Sequence, residues 1–274
     1  MIANATIPGK IDIHTHAGLT STFEKEGIRK LREKMIRLAR RQGIERMIVL
    51  GNVSIGGNDP TLEQIPAINN DTLDAMAQSD AFIGFCYLHP AHPLTFIREE
   101  IERCVVKGGM RGIKLWISVK ATDARLDPIM DRARELRIPV LHHAWNKATG
   151  NGPHESTPAE VADLARRHPR TIVVMAHLTG GGARGVLDIV DAPNVLIDTS
   201  GGQPEAGGVE YAVKLLGRER VIYGSDWPIR DFATQVARVT GAGLDLETQE
   251  FIFRKNALRA LKGLSIEEAE KEVL

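Results

Sequence analysis

The amino-acid sequence predicts an α/β fold: a single (β/α)8 TIM barrel with extra C-terminal helices, in which residues 1–274 form one domain. The chain length of 274 residues is close to the roughly 250 typical of such a barrel. Short apolar segments rich in β-branched residues alternate with longer amphipathic segments, which favours parallel strands joined by helices. Eight segments of each kind indicate a closed barrel rather than an open sheet.

Each predicted element follows from one of these segments. Strands are predicted over 10–14, 45–51, 81–88, 110–117, 138–143, 171–176, 194–199 and 220–225. Helices are predicted over 24–42, 61–79, 94–107, 127–137, 157–168, 182–190, 208–218 and 230–241. A further helix from Thr248 to Leu261, and a charged tail from Ser265, are expected to cover the outside of the barrel or its N-terminal end.

Three of the helix starts carry local capping signals. Thr157-Pro158-Ala159-Glu160 supplies an N-cap residue, a proline at the first helical position and the glutamate of a capping box. Asp127-Pro128 and Asp59-Pro60 are weaker starts of the same kind.

The composition excludes several classes of function. Lys+Arg and Asp+Glu are equal at 35 each, so no global basic field favours nucleic acid or a membrane surface. The two cysteines, Cys86 and Cys104, form no CxxC pair and indicate reduced thiols. The N-terminus lacks the apolar segment of a signal peptide, and no apolar run approaches the roughly 20 residues that span a bilayer. We expect a cytoplasmic protein with a small-molecule substrate.

Histidines and one carboxylate end several of the predicted strands. They are His14 and His16 in an HxH motif, His142 and His143, His177, and Asp226. Because barrel strands end at one rim, these side chains can converge although they are distant in sequence. HxH alone is a weak signal that also occurs on exposed edge strands. The combination predicts a metal site for Zn²⁺, Fe²⁺ or Mn²⁺, and the absence of cysteine argues against a closed structural zinc site.

Alternation along the strands assigns some of these side chains to faces but leaves others open. Asp12, His14 and His16 are predicted to share one face of the first strand, with Ile11 and Ile13 facing the helices. Alternation does not decide which member of the His142-His143 pair faces inward. A histidine such as His143 or His177, taken alone, can equally be a core residue.

Lys114 and Trp116 are predicted to point into the barrel, because Ile113 and Leu115 form an apolar row that faces the helices. A buried lysine is costly unless it is paired, so Lys114 is expected near the mouth with a substrate anion or an internal carboxylate such as Asp12. Carbamylation of Lys114 to bridge two metal ions is a further alternative.

The predicted substrate-binding residues lie just beyond the same strand ends. Trp116, Trp145 and Trp227 favour a flat or apolar wall, although they can also plug the rim between strands and helices. Arg230 follows the last strand and can grip a carboxylate. The glycine-rich loop 147–155 is the predicted specificity loop.

These motifs, in this order, resemble the amidohydrolase superfamily, in its amidohydrolase-2 branch, over essentially the whole chain. The matching segments are residues 11–16, 112–115, 140–144, 176–181, 194–200, 223–228 and 255–257. The resemblance implies a TIM barrel, one divalent metal ion (zinc, with manganese or iron as alternatives) and a homodimer. It also implies metal ligands at His14, His16, His143 and Asp226, catalytic roles for His177 and Asp226, and a less settled role for Lys114.

The leading functional hypothesis is a metal-dependent hydrolase that uses a metal-activated water on a small carboxylic ester, lactone or amide. In that chemistry His177 orients the water and Asp226 moves the proton. The alternative is a metal-dependent, non-oxidative decarboxylase of an aromatic or unsaturated carboxylic acid, in which an acid protonates the carbon that loses CO₂. A metal-binding protein without catalysis is a third class.

Overall fold

The computed structural model describes residues 7, 9–18, 27–202 and 205–272. Within these ranges the strands are β1 (Lys10–Thr15), β2 (Ile44–Val49), β3 (Phe82–Gly84), β4 (Cys86–Leu88), β5 (Ile113–Leu115), β6 (Val140–His142), β7 (Val173–Met175), β8 (Val195–Asp198) and β9 (Val221–Ile222). Each lies within one residue of a predicted strand segment or inside it. The predicted strand pattern is therefore confirmed.

All strand pairings are parallel, in the order β1-β2-β3 and β4-β5-β6-β7-β8-β9. β3 and β4 are two parts of one predicted strand, and the intervening Phe85 N–H donates to the Val49 carbonyl at 2.9 Å. At the other edge, Ile13 N–H donates to the Tyr223 carbonyl at 3.0 Å. The segment after β9 thus lies beside β1, as a barrel of eight strands requires.

Apart from β3 and β4, helices separate successive strands in the described part of the chain. They are α1 (Ile28–Arg41), α2 (Gln64–Gln78), α3 (Leu94–Ile101, continued as a π-helix over Glu102–Lys107), α4 (Asp127–Glu135), α5 (Pro158–Arg167), α6 (Leu178–Asp188), α7 (Gly208–Leu216), α8 (Phe232–Thr240), α9 (Leu246–Glu250, continued as a π-helix over Phe251–Lys255), α10 (Asn256–Leu261) and α11 (Ile266–Glu272). No described helix has the length and apolarity needed to cross a membrane.

The core has two layers, which explains why these segments form strands with two apolar faces. An inner cluster fills the barrel: Ile11, Ile13, Ile48, Leu50, Phe85, Leu141, Ile172, Val174, Ala176, Leu196 and Ile222. A larger outer cluster packs the opposite strand faces against the helices. Ala257 and Ala260 of α10 join the inner cluster. This C-terminal helix therefore closes the N-terminal end of the barrel, one of its two predicted positions.

The predicted faces of β1 were wrong, because a β-bulge interrupts the alternation. Asp12 pairs with Met47 and Thr15 pairs with Val49, so three steps along β1 match two along β2. Ile13 therefore points into the barrel, while Asp12 shares the helix-facing side with Met47. The bulge still leaves the His14 and His16 side chains at the inner rim. Asp12 Oδ1 accepts the freed N–H of His14 at 3.1 Å.

The helix starts were predicted with mixed success. Thr157 and Glu160 form the predicted capping box, and α4 begins at the predicted Asp127. Asp59-Pro60 does not begin α2, whose first residue is Gln64. Residues 61–63 form a turn instead, in which Thr61 N–H donates to the Gln64 side chain at 2.8 Å.

The inner cluster predicts a selective stability effect. Ile48 is 0% exposed within the barrel, so Ile48→Ala should lower the free energy of unfolding by about 2–5 kcal/mol. The control Leu187→Ala removes a side chain that is 54% exposed and should change it by about 0.5 kcal/mol or less. Urea denaturation measures both, and equal effects would contradict the assignment of Ile48 to a packed interior.

Candidate metal centre

Three predicted ligands converge at the rim where β1 and β9 end. The Nε2 atoms of His14 and His16 each lie 3.5 Å from Asp226 Oδ1, and all three residues are buried. The donor atoms lie within 4.8 Å of one another. Two imidazole nitrogens and one carboxylate oxygen are a donor set that divalent zinc, iron and manganese accept. The residues present therefore fit a divalent metal ion.

Each of these histidines is held by its other ring nitrogen. His16 Nδ1 lies 3.1 Å from the Gly51 carbonyl, which can only accept, so the proton is on Nδ1. His14 Nδ1 lies 2.7 Å from Asp198 Oδ2, with the same consequence. Burial holds the pKa of His14 well below its ordinary value, so the ring is neutral. Both Nε2 lone pairs are thus directed toward Asp226, the arrangement that metal-binding histidines use.

The structure decides between the two adjacent histidines of β6. His142 pairs in register with Leu115 and Met175, which belong to the helix-facing cluster, so its ring points away from the site. His143 points inward, and its Nδ1 lies 3.2 Å from His177 Nε2. His143, the ligand implied by the family resemblance, therefore contacts His177, but it is not among the donors that lie within 4.8 Å of one another around Asp226.

His143 is oriented by a carboxylate from the predicted specificity loop. Its Nε2 lies 3.1 Å from Glu155 Oε1, while Lys147 Nζ contacts Glu155 Oε2 at 2.8 Å. The hydrogen bond with His143 is the largest factor that lowers the pKa of Glu155, to about 2, so the carboxylate accepts. Asn151 fastens the loop, because its amide donates to the Trp145 carbonyl at 2.6 Å. His143 Nδ1 therefore presents a lone pair to the site.

His177 is fixed at both its backbone and its ring. Its N–H donates to Asp198 Oδ1 at 3.0 Å, and its Nδ1 lies 2.8 Å from Ser200 Oγ. Ser200 Oγ also donates to Asp198 Oδ1, so it accepts a hydrogen bond from His177 Nδ1–H. His177 Nε2 then carries a lone pair that faces the lone pair of His143 Nδ1. Such a contact requires a proton or a cation at this point.

Two site residues have left-handed backbone conformations that are uncommon outside glycine. The φ angles of His177 and Asp226 are 74° and 63°. Such conformations cost on the order of 1–3 kcal/mol each and persist where the surroundings impose them. Asp226 N–H donates to the His14 carbonyl at 2.8 Å, which ties the strained residue to β1. The sharp turns aim both side chains across the mouth of the barrel.

Lys114 points into the barrel as predicted and is 1% exposed. Burial lowers its pKa to about 8, against the opposing charges of Asp226 and Asp198. Pairing with Asp12 is excluded, since Asp12 lies on the helix-facing side and binds backbone N–H groups. Lys114 forms no hydrogen bond or ion pair within the described residues. Its ammonium group is therefore free to bind an anion.

The three tryptophans occupy different positions relative to the site. Trp145 stacks on His143 with ring centroids 6.1 Å apart and lies 4.9 Å from the His177 ring, so it walls the site. Trp116 is half-buried against the cluster around Tyr87. Trp227 instead stacks on Phe232 at 5.6 Å in the helix-facing layer. Trp227 therefore fills the rim between strands and helices, which is the second of the two roles predicted for the tryptophans.

Arg230 lies at the rim after β9, where its guanidinium packs against Gly202. Its Nε is buried and has no hydrogen-bond partner among the described residues, although one terminal nitrogen donates to the Ile229 carbonyl at 2.9 Å. The predicted role of Arg230 in binding a carboxylate stays a prediction.

Two residues of this rim were not predicted from the sequence. Asp198 ends β8 and contacts both His14 and His177, while His89 directly follows β4. Both obey the strand-end pattern that identified the other site residues, so the same signal could have found them.

A family model for amidohydrolases matches residues 11–263. The chain belongs to the amidohydrolase family. This confirms the resemblance of its sequence motifs. No curated protein matches this amidohydrolase in sequence.

Solved structures of several decarboxylases are similar to this amidohydrolase. The 2,6-dihydroxybenzoate decarboxylase from Rhizobium is 19% identical, with 93% of this chain and 99% of that chain covered and a TM-score of 0.74. A dihydroxybenzoic acid decarboxylase from Polaromonas, with bound manganese and the inhibitor 2-nitroresorcinol, is 17% identical, with coverages of 93% and 97% and a TM-score of 0.69. The 5-carboxyvanillate decarboxylase from Sphingomonas paucimobilis is 14% identical, with coverages of 93% and 99% and a TM-score of 0.69. These similarities confirm the TIM-barrel fold.

Asp198 offers a test of the ligand geometry. In the native protein Asp198 Oδ1 accepts hydrogen bonds from the N–H groups of His177 and Ser200. In Asp198→Asn the side-chain oxygen should keep these two hydrogen bonds. The new amide would then donate to His14 Nδ1 and force the His14 proton onto Nε2, the nitrogen needed by a metal. We expect Mn²⁺ affinity to fall about 10–100-fold, measured by electron paramagnetic resonance titration.

The matched control is Asp191→Asn, which alters a surface carboxylate paired with Arg166 at 2.6 Å. It should leave the Mn²⁺ affinity unchanged. Undiminished affinity in Asp198→Asn would mean that His14 Nε2 is not a ligand.

Proposed function

We propose that this amidohydrolase is a metal-dependent, non-oxidative decarboxylase of a small aromatic carboxylic acid. The observation that carries the proposal is the unpaired, buried Lys114 ammonium beside the His14, His16 and Asp226 cluster. A buried cation without a partner favours an anionic substrate. Trp145 supplies a flat wall suited to an aromatic ring. The decarboxylases that share the fold act on aromatic acids of this kind.

His14, His16 and Asp226, with His143 beside them, are the residues proposed to hold one divalent metal ion. Zinc and manganese both suit imidazole and carboxylate ligands, and the Polaromonas decarboxylase is described with bound manganese. When bound, the ion would supply Lewis acidity toward an oxygen of the substrate. A second group of donors, His14, His177 and Asp198, also lies within 4.8 Å, but it shares His14 with the first group, and His14 Nδ1 already contacts Asp198 at 2.7 Å. We therefore propose one ion rather than two ions bridged by a carbamylated Lys114.

The reaction requires one proton to be delivered to carbon. The bond between the ring carbon and the carboxylate breaks, its electron pair stays with the ring, CO₂ leaves, and a proton takes its place. The proton would come from solvent water; the His177 Nε2 lone pair and Asp226 would accept it and pass it to the carbon, and Lys114 would hold the acid while the bond breaks. Trp145 would shield the ring from water on one side.

Hydrolysis of an ester, lactone or amide was the leading expectation from the sequence. The comparisons favour the alternative, since the three solved structures described above are named as decarboxylases. The unpaired Lys114 supports the same choice, because a neutral ester or amide offers it no anion.

Product analysis tests the proposal. The Mn²⁺- or Zn²⁺-loaded protein should release CO₂ from a pool of hydroxylated benzoic acids and no acid from pooled lactones and esters. Acid release without CO₂ release would contradict the proposal and indicate a hydrolase.

His177 is expected to act on the proton and not to bind the metal. His177→Asn should lower the rate of CO₂ release at least about 100-fold, the usual size of a general acid–base contribution, while Mn²⁺ affinity changes little. The control His168→Asn alters a histidine that follows α5, before β7 begins, and whose Nε2 lies 2.9 Å from Asp127 Oδ1; it should keep full activity. A comparable loss of metal in His177→Asn would contradict this division of roles.

A further inference from the structure

The hydrogen bond between His14 and Asp198 joins two strands that are not neighbours. β8 pairs with β9, and the segment after β9 lies beside β1, where Asp226 N–H donates to the His14 carbonyl at 2.8 Å. Residues 223–226 therefore lie between Asp198 and His14. Neighbouring strands are about 4.8 Å apart, so strands two places apart are separated by about 10 Å. His14 Nδ1 nevertheless lies 2.7 Å from Asp198 Oδ2.

Gly224 lies directly between these two side chains. A β-carbon added at Gly224 would lie 3.0 Å from His14 Cβ and 3.1 Å from Asp198 Cγ. Carbon atoms pack at about 3.5–4.0 Å, so a side chain at this position would push the two residues apart. All residue types other than glycine carry a β-carbon. The short contact between His14 and Asp198 therefore depends on glycine at position 224.

The backbone conformation of Gly224 does not explain why glycine occurs there. Its φ angle is outside the left-handed region that favours glycine, unlike the φ angles of Gly201 (113°) and Gly217 (83°). Steric access is the reason that the structure provides. Alanine suits the backbone at position 224, so Gly224→Ala adds a β-carbon between His14 and Asp198 without imposing a strained φ angle.

Thr199 holds Gly224 in this position. Its buried hydroxyl donates to the Gly224 carbonyl at 3.3 Å and accepts the Gly224 N–H at 3.2 Å. These two hydrogen bonds continue the pairing of β8 with the segment after β9, which ends at Ile222. Because Thr199 directly follows Asp198 in the chain, Gly224 is fixed beside the carboxylate.

We propose that Gly224, fixed by Thr199, is a positioning residue of the metal centre. The absence of a side chain at position 224 lets Asp198 keep the His14 proton on Nδ1, which leaves the Nε2 lone pair for the ion. Asp198 also accepts the N–H of His177, so the same opening connects the strand of a predicted ligand with the predicted proton carrier. The inference rests on the proposed metal site and extends it to two residues that supply no donor atom to it.

A double-mutant cycle on the full chain tests the proposal. Gly224→Ala should lower the Mn²⁺ affinity about tenfold, at the lower end of the usual loss when a group that orients a metal ligand is disturbed, measured by electron paramagnetic resonance titration. In the Asp198→Asn background the same substitution should change the affinity by less than about twofold, because the hydrogen bond that it disturbs is already lost. An equal loss in both backgrounds, or no loss in the native background, would overturn the proposal.

The matched control is Gly243→Ala, because a β-carbon at Gly243 would meet no atom within 4 Å. It should leave the Mn²⁺ affinity unchanged in both backgrounds.

Thr199 supplies a second pair of variants, which decides the question if circular dichroism shows that Gly224→Ala does not fold. Thr199→Val keeps the shape of the side chain but removes the hydroxyl that holds Gly224, and should weaken Mn²⁺ binding about tenfold. Thr199→Ser keeps the hydroxyl and should bind Mn²⁺ as the native protein does. Equal affinities of the valine and serine variants would contradict the positioning role.

Failure of the proposed function gives a different result. Absence of CO₂ release leaves these affinity measurements unaffected. If the native protein does not bind Mn²⁺, the metal proposal fails, and nitrogen-15 NMR of the metal-free chain still tests Gly224. The native His14 ring should show its proton on Nδ1, and Gly224→Ala should shift or remove that signal. A His14 Nδ1–H signal that is the same in both proteins would overturn the role of Gly224.

Discussion

The site depends on the hydrogen bonds made by the Asp198 carboxylate. One of its oxygens fixes the His14 ring, and the other receives the backbone N–H of His177 at its strained turn. A single side chain at the end of β8 thus sets the orientation of a predicted ligand and of a predicted proton carrier. Because Asp198 is 0% exposed, solvent does not compete for either bond. The remaining site residues are arranged around this buried side chain.

The two-layer core explains how such a site can be rigid. The barrel interior below the rim is packed with branched apolar side chains, so the strand ends have a fixed spacing. The register shift between Asp12 and Thr15 then changes the alternation of β1 next to the rim, which turns His14 inward after Ile13 has already been buried. Strain at His177 and Asp226 is sustained by this framework.

Much of this arrangement could be predicted from the sequence, since strand-end histidines signal convergence at a barrel rim. The order of elements and the meeting of His14, His16 and Asp226 follow from local patterns. The face of Asp12 could not be predicted, because a bulge is a property of the pairing with β2. The inward position of His143 likewise needed the register of neighbouring strands. Hydrogen-bond partners that come from distant loops could not be predicted either, because loop sequences have no periodic pattern.

The alanines of α10 have a consequence for how the protein is made. Ala257 and Ala260 complete the interior that Ile11 and Ile13 begin, so β1 and α10 must meet before this end of the barrel is covered. Contacts of such large sequence separation slow folding. On the ribosome, an emerging chain would hold a barrel that is open at its N-terminal end until α10 (Asn256–Leu261) appears. The same helix leaves the rim as the entrance to the interior, shared by incoming substrate and departing products.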